Sequence, residues 1–280
     1  MDIKTSKLYL GATAPFTFYH MSDTHLILVD ERDDEKKRSL PERRRKLFPN
    51  GLEYLKEAAE ISKADGNSLI VHTGDLIDFV SEANLDAAKK FISETNCLMI
   101  AGNHEFTQYV FEVVKAADSA EYRSQTFDKV QAAFLNDIRF TSKEINGINL
   151  VCIDNSYNLF EAWQLDALKK EVQKGIPIIL FMHIPLYNEE VYEYCTKFYN
   201  TVVGDLICVP GDKLEKYPPE RYEQQKGDSL TFEMFEYIKH EPLIKAIFSG
   251  HEHFDFKTTI DNRLPQYVTG ISTLRKIHVI

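Results

Sequence analysis

Six short stretches of this chain are almost continuously apolar, and each stops at a polar side chain. They are Phe16–Met21, Ser68–Gly74, Cys97–Gly102, Ile148–Asp154, Pro177–His183 and Ile244–Gly250. Runs of this kind, apolar on both alternating faces, predict strands buried on both sides. Between them, Gly51–Gly66, Asn84–Glu94 and Ala162–Gly175 place apolar residues three and four apart, which predicts amphipathic helices. From Asp255 to Ile280 the pattern alternates apolar and polar, as in strands joined by turns. Strands and helices alternate early and strands dominate late, so a layered α/β sandwich is predicted rather than a bundle or an all-β fold.

Two segments break the pattern. Asp30–Lys46 is dense in charges of both signs, and a solvated loop or helix face is the expectation there. Leu186 to about Glu241 is rich in proline, glycine and tyrosine, and reads as an insertion or cap that the core does not require.

The polar residues that end the apolar runs change the picture. Asp23 and His25 follow the first run, Gly74 and Asp75 the second, and Asn103 and His104 the third. His183 ends the fifth, and the sixth leads into "GHEH" with His251 and His253. Ligands of open α/β sheets collect beyond the carboxyl ends of the strands. The two histidines of "GHEH" alone would be a weak signal. Five strand ends offering Asp, Asn or His, with no thiolate, form a donor set suited to Zn, Fe, Mn or related divalent ions.

The ordered series D-x-H, GD, GNHE, H and GHxH, spread from Asp23 to His253, resembles the calcineurin-like metallophosphoesterase superfamily. The resemblance implies a four-layer α-β-β-α sandwich, here one domain over residues 1–280 with a cap at about 186–241. It implies two divalent ions, Mn, Fe or Zn, that share Asp75. Asp23, His25, Asp75 and His253 would hold one; Asp75, Asn103, His183 and His251 would hold the other. It further implies hydrolysis of a phosphate ester by a hydroxide bridging the two ions. Asn103 and His104 would contact the substrate, and His104 would protonate the leaving oxygen as general acid.

Several residues are weighed against plainer readings. Glu105 is either a partner that orients His104 or an exposed carboxylate. Glycines 74, 102 and 250 either bring backbone close to the cluster or are ordinary turn glycines. Asp78 reads as a helix N-terminal carboxylate, and Asn155 faces the site on position alone. His72 reads as a core or supporting histidine, and His20 and His278 as structural. Arg43, Arg44 and Arg45 read as a solvated face rather than an anion site. Tyr187, Tyr192, Tyr194 and Tyr199 either wall a pocket for a flat substrate or form a small sub-core. Phe79 stands where one phosphatase branch of the superfamily has an arginine, which argues against a protein phosphatase of that branch.

Composition adds boundaries. The net charge is −10, so a general nucleic-acid binder is disfavoured. The four cysteines form no C-x-x-C pair and read as reduced thiols of a cytoplasmic protein. No apolar run is long enough for a signal peptide or a membrane span. Within these boundaries the resemblance implies hydrolysis of a small-molecule phosphate ester, a diester slightly before a monoester. A nuclease with the same cluster and a catalytically silent scaffold of the same fold are the competing readings.

Overall fold

The computed structural model describes residues 1–110 and 119–280. In chain order, β1 (Asp2–Leu8) and β2 (Phe16–Met21) lead into helices α1 (Glu35–Arg44) and α2 (Gly51–Ala64), then β3 (Leu69–His72), α3 (Glu82–Glu94) and β4 (Cys97–Met99). After a short 3-10 turn at Asn103–Phe106 come α4 (Ser119–Gln131), β5 (Phe140–Ile145), β6 (Ile148–Ile153), α5 (Ala162–Val172) and β7 (Ile178–Phe181). Four helices follow, α6 (Glu189–Tyr199), α7 (Gly211–Leu214), α8 (Pro219–Gln225) and α9 (Ser229–His240). The chain closes with β8 (Ile244–Ser249), β9 (Phe256–Ile260), β10 (Leu264–Val268) and β11 (Thr273–Val279). Every predicted strand and helix is present, because each rests on a local apolar pattern that packing then uses.

The strands form two sheets, ordered β1-β11-β2-β3-β4 and β5-β6-β7-β8-β10-β9. Alternation along each strand sends successive side chains to opposite faces. Phe18, Val71 and Leu98 of the first sheet meet Leu150, Phe181 and Phe248 of the second in a shared middle layer. On the outer face of the first sheet, Tyr19, Ile70 and Met99 pack under α2, α3 and α4. On the outer face of the second, Val151, Leu180 and Ile247 pack under α5 and α9. The result is a four-layer α-β-β-α sandwich.

The sequence reading names neither α4 nor β5, and two further features depart from it. The first is β1, which the polar sequence DIKTSKL conceals. It is mostly exposed and exists because it pairs in parallel with β11 at the sheet edge. The second lies within 186–241. Helix α9 buries Met234 and Ile238 against β7 and β8, as a crossover helix between parallel strands must. Leu186 and Ile207 join the same cluster. The core therefore uses both ends of that segment, while α6 and α7 pack on a small cluster of their own with Phe254 and Val268.

Within each sheet, the strands that carry the motifs run parallel (β2, β3 and β4; β7 and β8), so their carboxyl ends share one edge. The motif loops continue the ladders past the strands. Asp23 N–H bonds Gly74 O at 3.0 Å and His25 N–H bonds Asp75 O at 2.9 Å. Gly250 N–H bonds His183 O at 2.9 Å on the second sheet. Among the described residues no helix is long and apolar enough to cross a membrane. Cys97, Cys152, Cys195 and Cys208 are all unpaired thiols.

Candidate metal centre

Strand ends deliver the side chains, and backbone strain aims them. Asp23, His25, Asp75, His251 and His253 all have left-handed backbone, with φ of 57°, 46°, 53°, 67° and 53°. Such a conformation costs on the order of 1–3 kcal/mol per non-glycine residue and persists only where surroundings impose it. The imposition is visible. A Cβ on Gly250 would sit 2.3 Å from Asp23 Oδ2 and 1.8 Å from Ser22 Oγ. One on Gly102 would sit 2.3 Å from Asp75 Oδ1. These glycines exist to let loops close over carboxylates, which settles the choice left open by the sequence.

The loops bring six of the predicted residues into two groups. Asp23, His25, Asp75 and His253 place one ligand atom each within 4.8 Å of one another, and so do Asp75, His183 and His251. Asp75 belongs to both. Asn103 joins the second group, its Oδ1 3.1 Å from His183 Nε2.

Each acid has one oxygen tied and one presented. Asp23 Oδ2 accepts from the His251 amide at 2.8 Å, while its buried Oδ1 has no hydrogen-bond donor. Asp75 Oδ1 accepts from the His104 amide at 2.8 Å, and Oδ2 lies 3.8 Å from His25 Nε2 and 3.4 Å from His183 Nε2. A single oxygen of Asp75 thus faces both groups.

The imidazoles are oriented from behind. His25 Nδ1 donates to Asp78 Oδ1 at 2.9 Å and His183 Nδ1 to Thr73 O at 2.8 Å. Both therefore turn Nε2 inward. His25 Nε2 approaches His253 Nε2 to 3.2 Å, and His183 Nε2 approaches His251 Nδ1 to 3.1 Å. Burial resists ionisation of Asp23 and Asp75, but the surrounding histidines hold both carboxyls well below the usual range. Burial likewise lowers His251 and His25, which keeps them neutral. At His183 burial is outweighed by the Asp75 carboxylate, which pushes it up to about 10. Two buried carboxylates beside inward-facing imidazoles, one of which already draws a proton, make a site that attracts positive charge, and its oxygen and imidazole donors fit divalent ions.

The sequence profile of the calcineurin-like phosphoesterases matches residues 16–255, most of the chain. The chain belongs to the calcineurin-like phosphoesterase family. A binuclear divalent metal centre goes with that family, and membership makes this chain a metal-dependent phosphoester hydrolase. No curated protein matches the chain significantly. Among solved structures it is similar to a dimetal phosphatase from Danio rerio at 14% identity, over 91% of this chain and 88% of that one, with a TM-score of 0.49. It is also similar to a 5′-nucleotidase from Candida albicans at 16% identity and a TM-score of 0.41, over 91% of this chain and 45% of that enzyme.

Around the donors of this phosphoesterase lie residues whose roles the sequence did not reveal. Glu105 is fully buried, and its hydrogen bonds go to backbone amides. Its carboxylate accepts amides of Asp75 (2.7 Å), Leu76 (2.8 Å), Ile77 (3.2 Å) and Gly102 (2.7 Å), clamping the GD loop to the GNHE turn. Burial, with the Asp75 charge beside it, pushes Glu105 up to about 8. Asn155 supports rather than faces the site: its Oδ1 accepts the amides of His183 and Ile184 at 3.0 and 2.9 Å.

Asp78 and Arg44 overturn two plain readings. Asp78 is fully buried and receives a two-pronged ion pair from Arg44, Nε to Oδ2 and Nη2 to Oδ1, both at 2.6 Å. His104 Nδ1 donates to Asp78 O at 2.6 Å and lies 3.3 Å from Asp78 Oδ1. Burial opposes the Asp78 charge, but Arg44 and His25 hold its carboxyl well below the usual range. His25, Asp78 and His104 also cluster within 4.8 Å. Arg44 already supplies the positive charge there, so this third group is not a further ion site.

His72 is a core histidine, kept neutral by burial that lowers it to about 3, with Nε2 3.1 Å from Thr24 Oγ1. His20 packs edge-on to Phe248 with its ring nitrogens on Thr73 and Thr269, and His278 bonds Thr17. All three stay out of the donor groups.

Proposed function

We propose that the chain hydrolyses a small-molecule phosphate ester at the two donor groups. Asp23, His25, Asp75 and His253 would hold one divalent ion, and Asp75, Asn103, His183 and His251 the other. The observation that carries the reading is the single buried Asp75 carboxylate common to two converged donor sets. When bound, two such ions supply Lewis acidity to a phosphoryl oxygen and acidify a water nucleophile.

The chain's own residues do the rest. Asp23 and Asp75, ionised and buried, fix the charge of the site. Asn103 and His104 are partly exposed on its open side, where a substrate approaches. His104 keeps its Nδ1 proton on Asp78 O, so Nε2 is the nitrogen left to give a proton to the departing oxygen. Asp78 Oδ1 lies 3.3 Å from the same Nδ1 and helps fix the ring's orientation.

The purified protein is expected to bind about two divalent ions per chain after Mn²⁺ loading. Chelation should lower Tm by roughly 5–10 °C, since ligand at a hundred times Kd contributes about 2.7 kcal/mol. Assays of bis- and mono-p-nitrophenyl phosphate, cyclic nucleotides and nucleotides then separate diester from monoester hydrolysis. At most one ion per chain, or no hydrolysis of any ester, would sink the reading.

The cap reading narrows to α6–α8, because 186–241 as a whole contains core. Tyr187 and Tyr192 belong to the cap's own small cluster. Tyr194, Phe198 and Tyr199 are instead exposed, at 38%, 54% and 44% of each residue. They adjoin the site: Tyr199 OH bonds Glu252 O at 2.7 Å, between His251 and His253, and Phe198 packs on Phe254 at 5.2 Å. We take this ridge to contact the leaving group. Phe198→Ala is expected to raise KM several-fold for aryl or nucleoside esters, with metal content and Tm unchanged. Equal KM values across the ester panel would remove the cap from substrate selection.

A further inference from the structure

The charged stretch that forms α1 reaches the metal centre through one residue. We propose that Arg44 is a positioning residue for one of the two ions, acting through Asp78 on His25. This rests on the reading of Asp23, His25, Asp75 and His253 as ligands.

The chain of contacts is short and buried. The Arg44 guanidinium grips both oxygens of Asp78 at 2.6 Å, with Arg44 8% and Asp78 0% exposed. Asp78 Oδ1 accepts the His25 Nδ1 proton at 2.9 Å, which turns Nε2 toward the other three donors. Phe48, in the loop after α1, stacks on the His25 ring at 3.9 Å with planes 14° apart. The Arg44 guanidinium in turn lies 4.9 Å from the Phe48 ring. One segment thus holds His25 by its edge and by its face.

The second donor group is held by other means. His183 is oriented by Thr73 O and by Asn155, and its ring pairs with His251. None of these is on α1. Loss of Arg44 leaves Asp78 a buried carboxylate without its cation, a costly state that relaxes by moving the carboxylate and with it His25. The consequence is asymmetric: one ion position loosens and the other does not. A planar fork is required for a two-pronged grip, so lysine replaces it only in part.

The test is Mn²⁺ binding to metal-free protein, by calorimetry and by electron paramagnetic resonance. Wild type should bind two ions and show a spin-coupled pair at two equivalents. Arg44→Met should weaken one binding constant roughly 10–100-fold, as loss of outer-shell partners of metal ligands does, with the other constant unchanged. At two equivalents it should show uncoupled Mn²⁺. Arg44→Lys should fall between, and is the variant read should Arg44→Met fail to fold. On a His25→Ala background, Arg44→Met should cause no further loss at the remaining position. Equal weakening of both positions, no weakening, or an additive loss on the His25→Ala background overturns the proposal while leaving two-ion binding by wild type intact. Wild type binding fewer than two ions instead defeats the ligand reading, and this inference with it.

Discussion

Asp75→Asn is expected to leave a folded protein that retains fewer than two ions and turns over negligibly. The carboxylate does two jobs with two different oxygens. Oδ1 accepts the His104 amide at 2.8 Å, and Oδ2 faces His183 and His25 at 3.4 and 3.8 Å. An asparagine keeps the first contact by turning its carbonyl to the His104 amide. Its NH₂ then occupies the place of Oδ2 and points donors at inward-facing imidazoles. Both groups lose their common anion at once. The loss should exceed the 10–100-fold that changes to outer-shell partners cost, in metal affinity and in kcat/KM together. Metal analysis and steady-state kinetics on the same preparation check it. Two ions retained with normal turnover would refute the ligand assignment.

His104→Ala is expected to separate catalysis from metal binding. The His104 side chain is outside both proposed ligand sets, and only its amide touches Asp75. Alanine keeps that amide, so metal content should not change. What is lost is a proton donor. An alkoxide departs badly unprotonated, and a general acid contributes about 10²–10⁴-fold for such esters. A nitrophenolate departs without help. The variant should therefore lose about 10²–10⁴-fold in kcat on an alkyl phosphate ester and far less on a p-nitrophenyl ester. If His104 served only to shape the GNHE turn, both esters would slow alike and metal would be lost. Parallel measurement of both esters and of metal content decides between the two.

These expectations draw on features of very different legibility. The apolar runs and their polar ends could be read directly, because a strand buried on both faces is written in consecutive residues. Ligand types follow immediately after those strands, so the donor set and its family resemblance were visible as well. Glu105 could have been placed only by knowing that four amides from two loops converge on it, one of them three residues away and the others about thirty. Asn155 meets the His183 amide across 28 residues. A polar residue beside a strand end gives no sign of which distant amide it will satisfy.

By itself the sequence determined the layered α/β fold, most of its strands, three of its helices, and the order of the residues that meet in the two donor groups. These depend on local periodicity and on the direction in which parallel strands point. Tertiary structure alone decided that Asp75 turns one oxygen to both groups, that five donors sit in left-handed backbone, and that α9 belongs to the core. It also decided that Arg44, within a stretch read as solvated, is buried on Asp78 across 34 residues. The physical reason is common to these cases. A charge or a strained φ is tolerated only because of partners that folding brings from elsewhere, and such partners leave no trace in the local pattern of the chain.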